Sequence, residues 1–141
     1  GVHFFDMLHW IFFFFQHQKV HVRSHDRASG VLSFKNANVR WFLSINAATL
    51  PEAVSQEGGR IHRSLRFDQW SFDFTEGFTE LHSRSYAHIL NGEGFSERDA
   101  HAAISIVHGM RESQISPLDS EAHSLASLPQ DLHPFYPIKE S

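Results

Sequence analysis

The most chemically suggestive residues of this sequence lie at its start, where G-V-H-F-F-D places His3 and Asp6 three positions apart. Residues at i and i+3 share one face of a helix. A carboxylate that orients an imidazole and stabilises its protonated form makes it a general acid or base. The same pair also suits a structural role, in which the carboxylate satisfies a ring nitrogen of a buried histidine. The two residues alone leave both interpretations open.

A metal site is the other chemistry that twelve histidines invite, and His17, His21 and His25 are spaced four apart. Residues 19–24 alternate as a strand does, and a four-residue step along a strand spans roughly 13 Å, too far for two side chains to share one ion. We therefore predict no metal site. The sequence also lacks a glycine-rich phosphate loop, a Walker lysine and a serine-centred nucleophile elbow. These absences predict no cofactor-binding residues within this chain.

Composition limits the class of protein. The chain has 141 residues, which suits one domain with a single core. Its formal net charge of −4 gives no reason to expect a nucleic-acid partner. It contains no cysteine, which excludes disulfides and thiolate metal sites and is compatible with a reducing cytoplasm. The apolar start lacks the basic region of a signal peptide and is too short to span a bilayer. We expect a cytoplasmic location without membrane contact.

Two kinds of periodicity indicate the elements that position these residues. The apolar start predicts a helix that packs on one side and carries His3, Asp6, Met7 and Trp10 on the other. The pattern then changes to period two, with strands predicted at residues 20–23, 29–35, 39–46, 61–67 and 70–74. Because no helix separates these strands, we expect an antiparallel sheet.

Helical spacing returns in the second half of the chain. It begins near residue 79 and ends at Gly92, a suitable C-terminal cap. Ser96 and Asp99 resemble a capping box that opens a further helix through about Glu112. Beyond it, prolines and serines predict an irregular tail.

Several segments together resemble a known protein family. G-V-H-F-F-D-M-L is similar to the helix-opening G-x-H-x-x-D segment of the Gfo/Idh/MocA family of NAD(P)-dependent sugar oxidoreductases. Further along, VRWFLSINAATLPE, RSLRFD, FTEGFTELHSRSYAHILNGEGF and DAHAAISIVHGMR resemble the UDP-N-acetylglucosaminuronate 3-dehydrogenase branch of that family. The resemblance covers residues 1–112 with order and spacing kept.

The resemblance implies a fold and a domain organisation. It implies an α+β domain in which an open-faced, mainly antiparallel sheet carries helices on one side. Residues 1–112 would form this substrate-binding and oligomerisation domain, with residues 113–141 as a Pro/Ser-rich tail, and the N-terminal Rossmann domain of the family would be missing. Phe13 departs from the family, which commonly has glycine there, so we expect a different helix end.

The resemblance also implies roles for individual residues. His3 matches the family's catalytic histidine, the base that accepts the proton of the sugar hydroxyl, and Asp6 matches the acidic position on the same helix. A second segment matches a stretch near the substrate pocket, and its candidate substrate-binding residues are His82, Ser83, Arg84 and Tyr86.

The function that follows is oxidation of the 3-hydroxyl of a UDP-linked N-acetylated sugar acid in bacterial surface-polysaccharide (O-antigen) synthesis. The full-length enzyme would use NAD, whereas this chain alone is expected to bind no cofactor and to be inactive. Its expected partners are the nucleotide-sugar substrate, its own Rossmann domain and further copies in a homodimer or homotetramer through the sheet, where Arg40 and Asn46 are interface candidates. The alternatives are an oxidoreductase domain for a free polyol or simple sugar, and a non-catalytic oligomerisation or sugar-binding module.

Overall fold

A computed structural model describes residues 2–76, 80–94 and 96–129, with the side chains of residues 81 and 82 also left undescribed. The chain divides into two compact units, Gly1–Asn46 with Ala100–Ser141, and Ala47–Asp99. No helix in the described residues has the length and apolar character needed to cross a membrane. The elements along the chain are α1 Val2–Phe12, β1 Phe15–Arg23, β2 Arg27–Phe34, β3 Asn38–Ser44, α2 Glu52–Gln56, β4 Ser64–Phe67, β5 Trp70–Asp73, α3 Leu81–Leu90 and α4 Glu97–Glu112.

The first unit is built on a three-stranded antiparallel sheet in the order β1-β2-β3. Gly30 of β2 lies opposite Val20 of β1 and Trp41 of β3, so these three residues share one face of the sheet. The neighbouring residues Val31 and Arg40 pair on the other face. The predicted alternation is therefore confirmed, although β1 begins five residues earlier than the pattern indicated.

Helix α1 packs on the face of the sheet that carries Trp41. Phe5 and Leu8 are its buried side chains, and the rings of Phe5 and Trp41 meet edge to face with centroids 5.2 Å apart. Gly30 beneath them has no room for a side chain, because a Cβ would overlap with the carbonyl oxygen of Lys19. This contact determines which side of α1 faces outward.

Helix α4 buries Ala103, Ile106 and Met110. The side chain of Arg23 caps its C-terminal end, donating to the carbonyl oxygens of Met110 at 2.8 Å and Ser113 at 3.0 Å. A cation at this end also stabilises the helix dipole. Its core-facing side includes Ile106, whereas Ile104 is exposed.

The segment that follows α4, residues 113–129, covers part of the sheet face opposite α1. The Lys19 Nζ atom lies 3.0 Å from Asp119 and 2.5 Å from Glu121, and the His123 ring stacks on Phe42 with centroids 5.4 Å apart. Ala126 is buried within a 3₁₀ turn, Ser124–Ser127. The segment is irregular as expected, yet it packs closely against the strands.

The turn at the end of α1 has an unusual backbone conformation. Phe13 and Phe14 follow the helix with φ of 50° and 41°, in the left-handed region where a Cβ approaches the backbone closely. The expectation was that a bulky residue would alter this end. The structure instead places Phe13 in the left-handed conformation, so this turn holds backbone strain.

This strain gives a stability prediction. Phe13→Gly and Phe13→Ala both remove the half-exposed ring, but only glycine removes the Cβ that makes this φ costly. We expect Phe13→Gly to have a free energy of unfolding higher than that of Phe13→Ala by about 1 kcal/mol in urea denaturation. Equal stability of the two variants would show that the turn is unstrained.

The second unit, Ala47–Asp99, contains the β4-β5 hairpin and α3. The hairpin turns at Asp68-Gln69, and Leu65 and Phe67 of β4 pair with Phe72 and Trp70 of β5. Gly92 follows α3 with φ of 75°, as predicted for a glycine at a helix end.

The capping box at the start of α4 and the fold class are also confirmed. Both the backbone N–H and the hydroxyl of Ser96 donate to the Asp99 carboxylate, at 2.6 and 2.8 Å. The fold is α+β with antiparallel strands, as expected. The five predicted strands are present but belong to two separate sheets of three and two strands.

Candidate active site

The predicted catalytic pair lies on the outward side of α1. His3 and Asp6 are both exposed, one helical turn apart, on the side of α1 away from the buried Phe5 and Leu8. No hydrogen bond joins their side chains in the described part of the chain. An exposed imidazole on a helix anchored by two buried apolar residues is accessible from outside the unit. The exposure of His3 does not fit the alternative role of a buried structural histidine.

The predicted substrate-binding residues lie on α3 in the second unit. Ser83, Arg84 and Tyr86 are exposed on this helix. His82 belongs to the same helix, but its side chain lies outside the described residues. The candidate site residues therefore fall on two helices, one in each unit. An exposed guanidinium such as that of Arg84 suits a carboxylate or phosphate because its donors form a planar fork.

Arg40 and Asn46, the two interface candidates, have different surroundings. Arg40 is exposed on β3. Asn46 instead lies against its own chain, where its side-chain amide donates to the Asp26 carboxylate at 2.9 Å. The structure thus gives Asn46 an internal role that the sequence pattern did not indicate.

Asp26 is the centre of a buried polar cluster that the sequence analysis missed. The Arg27 guanidinium donates to both oxygens of this carboxylate, at 2.8 to 3.2 Å, and Ser24 donates at 2.7 Å. These bonds, led by those from Arg27, hold the pKa of Asp26 well below its usual range. Arg27 also reaches the carbonyl oxygen of Leu128 at 3.2 Å. The cluster therefore joins the β1-β2 turn, the end of β3 and the segment 113–129.

The three histidines spaced four apart lie in different surroundings. His17 and His25 are exposed, whereas the ring of His21 is fully enclosed, with its Nε2 atom 3.4 Å from Asp119. Hydrogen bonds from the Lys19 side chain and the Glu121 backbone lower the pKa of Asp119. Over residues 2–76, 80–94 and 96–129, no three histidine or acidic side chains converge as metal ligands would.

Two arginines of the hairpin region, Arg63 and Arg66, have different surroundings. Arg63 donates to the carbonyl oxygen of Thr75 at 3.0 Å across the base of the hairpin. Arg66 is exposed on the hairpin face that also carries Ser64 and Asp73. Arg63 therefore stabilises the hairpin.

The chain is similar to solved structures of a dehydrogenase. No family model matches the chain. A solved structure of the WlbA (WbpB) dehydrogenase from Thermus thermophilus, in complex with NAD and α-ketoglutarate, is 40% identical over 86% of this chain with a TM-score of 0.80. The same dehydrogenase in complex with NAD and UDP-GlcNAcA is 38% identical over 86% of this chain with a TM-score of 0.79. The chain spans 39% of the length of each.

The described fold and sequence match those of one part of an NAD-binding dehydrogenase. The resemblance to the Gfo/Idh/MocA oxidoreductases, and within them to the UDP-GlcNAcA dehydrogenases, is thereby confirmed. The described strands pair antiparallel in both sheets, so the described residues contain no βαβ nucleotide-binding unit. This agrees with the expected fold of a domain separate from the Rossmann part.

Proposed function

We propose that this chain is the substrate and assembly domain of an NAD-dependent dehydrogenase that oxidises the 3-hydroxyl of a UDP-linked N-acetylated sugar acid. The observation that carries the proposal is 38% identity, at a TM-score of 0.79, to a dehydrogenase crystallised with NAD and UDP-GlcNAcA. The exposed His3 on α1 supports it, because an oxidation of this kind needs a base beside the reacting hydroxyl.

The proposed oxidation removes one proton and one hydride from the alcohol. In the complete enzyme, bound NAD would be the hydride acceptor. A ring nitrogen of His3 accepts the hydroxyl proton as the alcohol becomes a ketone, and the ring becomes an imidazolium. The carboxylate of Asp6, one turn along α1, favours that cation electrostatically. The candidates of α3, His82, Ser83, Arg84 and Tyr86, would hold the substrate.

The domain organisation and setting belong to the same proposal. Residues 1–112 would form the substrate-binding and oligomerisation domain, with residues 113–141 as its tail. The protein would act in the cytoplasm in bacterial surface-polysaccharide synthesis.

Assembly into a homodimer or homotetramer through the three-stranded sheet is a further part of the proposal. The contact of His123 with Phe42 bears on it, because the segment 113–129 already covers part of the face that would meet another copy. An interface on this face would therefore include residues of that segment. Light scattering from the complete protein tests this assembly, and a monomer at high micromolar concentration would argue against it.

Substrate comparison tests the proposed function directly. The complete enzyme is assayed for NADH formation with UDP-GlcNAcA and, separately, with myo-inositol. Turnover of the nucleotide sugar supports the proposal. Turnover of the polyol alone would assign the enzyme to a different substrate class, and turnover of neither, in a folded protein that binds NAD, would favour a non-catalytic role.

Arg84 provides a more specific prediction. We expect Arg84→Ala in the complete enzyme to raise the KM for UDP-GlcNAcA by about 10-fold, because a charge-assisted contact to a phosphate or carboxylate is lost. Arg84→Lys should recover only part of the affinity, since an ammonium lacks the planar fork. Arg98→Ala removes another exposed arginine, at the start of α4, and serves as the matched control. An unchanged KM in Arg84→Ala would remove Arg84 from the site.

A further inference from the structure

An exposed aromatic patch lies at the C-terminal end of α1. Trp10 is 74% exposed, Phe13 53% and Phe14 73%. These side chains are close together in the chain and expose on the order of 400 Å² of aromatic surface. Patches of this size on a folded protein mark binding surfaces. Since α1 also carries His3, the patch belongs to the same element as the proposed base.

The helix geometry relates this patch to His3. His3 and Trp10 are seven residues apart, so they lie within about 20° of each other around the helix and about 10 Å apart along it. Both are exposed, and Phe5 and Leu8 hold the opposite side of the helix against the core. A ligand laid along α1 can therefore touch both residues at once.

We propose that Trp10 is the stacking surface for the uracil base of a UDP-sugar whose sugar ring lies at His3. This inference rests on the function proposed above and adds a nucleoside subsite to it. About a dozen single bonds connect the sugar C3 atom to the base through the diphosphate and ribose, and this linker spans 10 Å without being fully extended. The separation of His3 and Trp10 therefore matches the substrate.

The chemistry of the patch favours a flat nucleobase over an aliphatic ligand. Aromatic side chains stack on the π-face of any base, and tryptophan offers the largest such surface. The ammonium group of Lys35 lies over the face of the Phe14 ring, 5.7 Å from the ring centre, so that face is not open to a base. Trp10, which is 74% exposed, is therefore the side chain of the patch that can offer a ring face to a base.

Asp6 is the one acidic group on this side of α1, and it lies about 60° around the helix from the line that joins His3 and Trp10. Its carboxylate is exposed, so water and salt screen its repulsion of a passing diphosphate. The net charge along α1 therefore permits the proposed orientation.

The experiment uses the complete enzyme and separates binding from chemistry. We expect Trp10→Ala and Trp10→Leu to raise the KM for UDP-GlcNAcA by about 10-fold, with kcat within two-fold of the unmodified enzyme. Leucine keeps apolar area but has no π-face, so a higher KM in Trp10→Leu would identify stacking as the interaction that is lost. Trp10→Phe should restore most of the affinity. Trp70→Ala removes a similarly exposed tryptophan from the hairpin and should leave KM unchanged.

A second measurement does not depend on turnover. UDP should quench the tryptophan fluorescence of the enzyme, ribose 5-phosphate should not, and Trp10→Phe should abolish the quenching that Trp70→Phe retains. Normal KM and normal quenching in the Trp10 variants would overturn the subsite while leaving the proposed function intact. The same holds if Trp10→Leu keeps normal KM but changes the oligomeric state, because the patch would then bind protein. Failure of the unmodified enzyme to oxidise UDP-GlcNAcA would instead overturn the function itself.

Discussion

Replacement of His3 by asparagine in the complete enzyme is expected to lower kcat by about 10²- to 10⁴-fold, the usual contribution of a positioned general base. Asparagine is similar in size and polar but cannot take up the hydroxyl proton. The KM for UDP-GlcNAcA and the affinity for NAD should stay near those of the unmodified enzyme, because the interaction that is lost is made only in the transition state. Because His3 is exposed, the substitution should not affect folding.

His9→Asn provides the matched control for this prediction. His9 lies on the same helix, and its position places it about 120° around the axis from His3. It is half-buried and has no proposed role in the reaction. Its replacement should leave kcat near normal. If His3→Asn retains full kcat, the base of the reaction lies elsewhere and His3 has no chemical role.

The largest loss of stability is expected for Asp26→Ala. The variant leaves the guanidinium of Arg27, whose side chain is only 2% exposed, without its bidentate partner and removes the acceptor for Ser24 and Asn46. A buried charge stripped of its partner is strongly destabilising. Thermal unfolding followed by circular dichroism should show a midpoint lower by about 10 °C or more.

Two further variants identify the cause of this loss. Asp26→Ala combined with Arg27→Met removes both charges and should be more stable than Asp26→Ala alone. Glu76→Ala removes an exposed carboxylate and should change the midpoint little. A midpoint for Asp26→Ala close to that of the unmodified chain would show that the cluster contributes little to stability.

The same carboxylate predicts the direction of the pH dependence. The pKa of Asp26 is lowered in the folded chain, first by the Arg27 hydrogen bonds and then by those from Asn46 and Ser24. A group with a depressed folded pKa contributes its full stabilisation above the unfolded value of about 4, and the contribution is lost as the pH falls toward the folded pKa. Stability of the unmodified chain should therefore fall on acidification below about pH 4, more steeply than that of the double variant.

Much of the local structure was predictable because it depends on neighbouring residues. The capping box of Ser96 and Asp99, the glycine that ends α3 and the turn at Asp68-Gln69 all involve groups a few positions apart. Period-two alternation identified all five strands for the same reason. Strand ends were less accurate, as at β1, where the polar residues at 16–18 precede the recognisable alternation.

The arrangement of polar groups around the sheet was not predictable in this way. Asn46 follows a strand and its pattern suits an exposed position, yet it binds Asp26 twenty residues away. Phe42 lies on the sheet face opposite α1, where His123 stacks on it from a segment eighty residues further along the chain. Neither contact produces a periodic pattern in the sequence, because each depends on where a distant segment returns to the sheet.

By itself, then, the sequence determined the helix that carries His3 and Asp6, the antiparallel strands, and, through its resemblance to a known family, the class of chemistry to expect. These follow from local spacing or from motifs whose order is kept. The tertiary structure alone decided that Phe13 adopts a left-handed conformation and that residues 113–129 lie across the sheet. Burial and long-range hydrogen bonds select these features, since the free energy of each depends on groups brought together only in the folded chain.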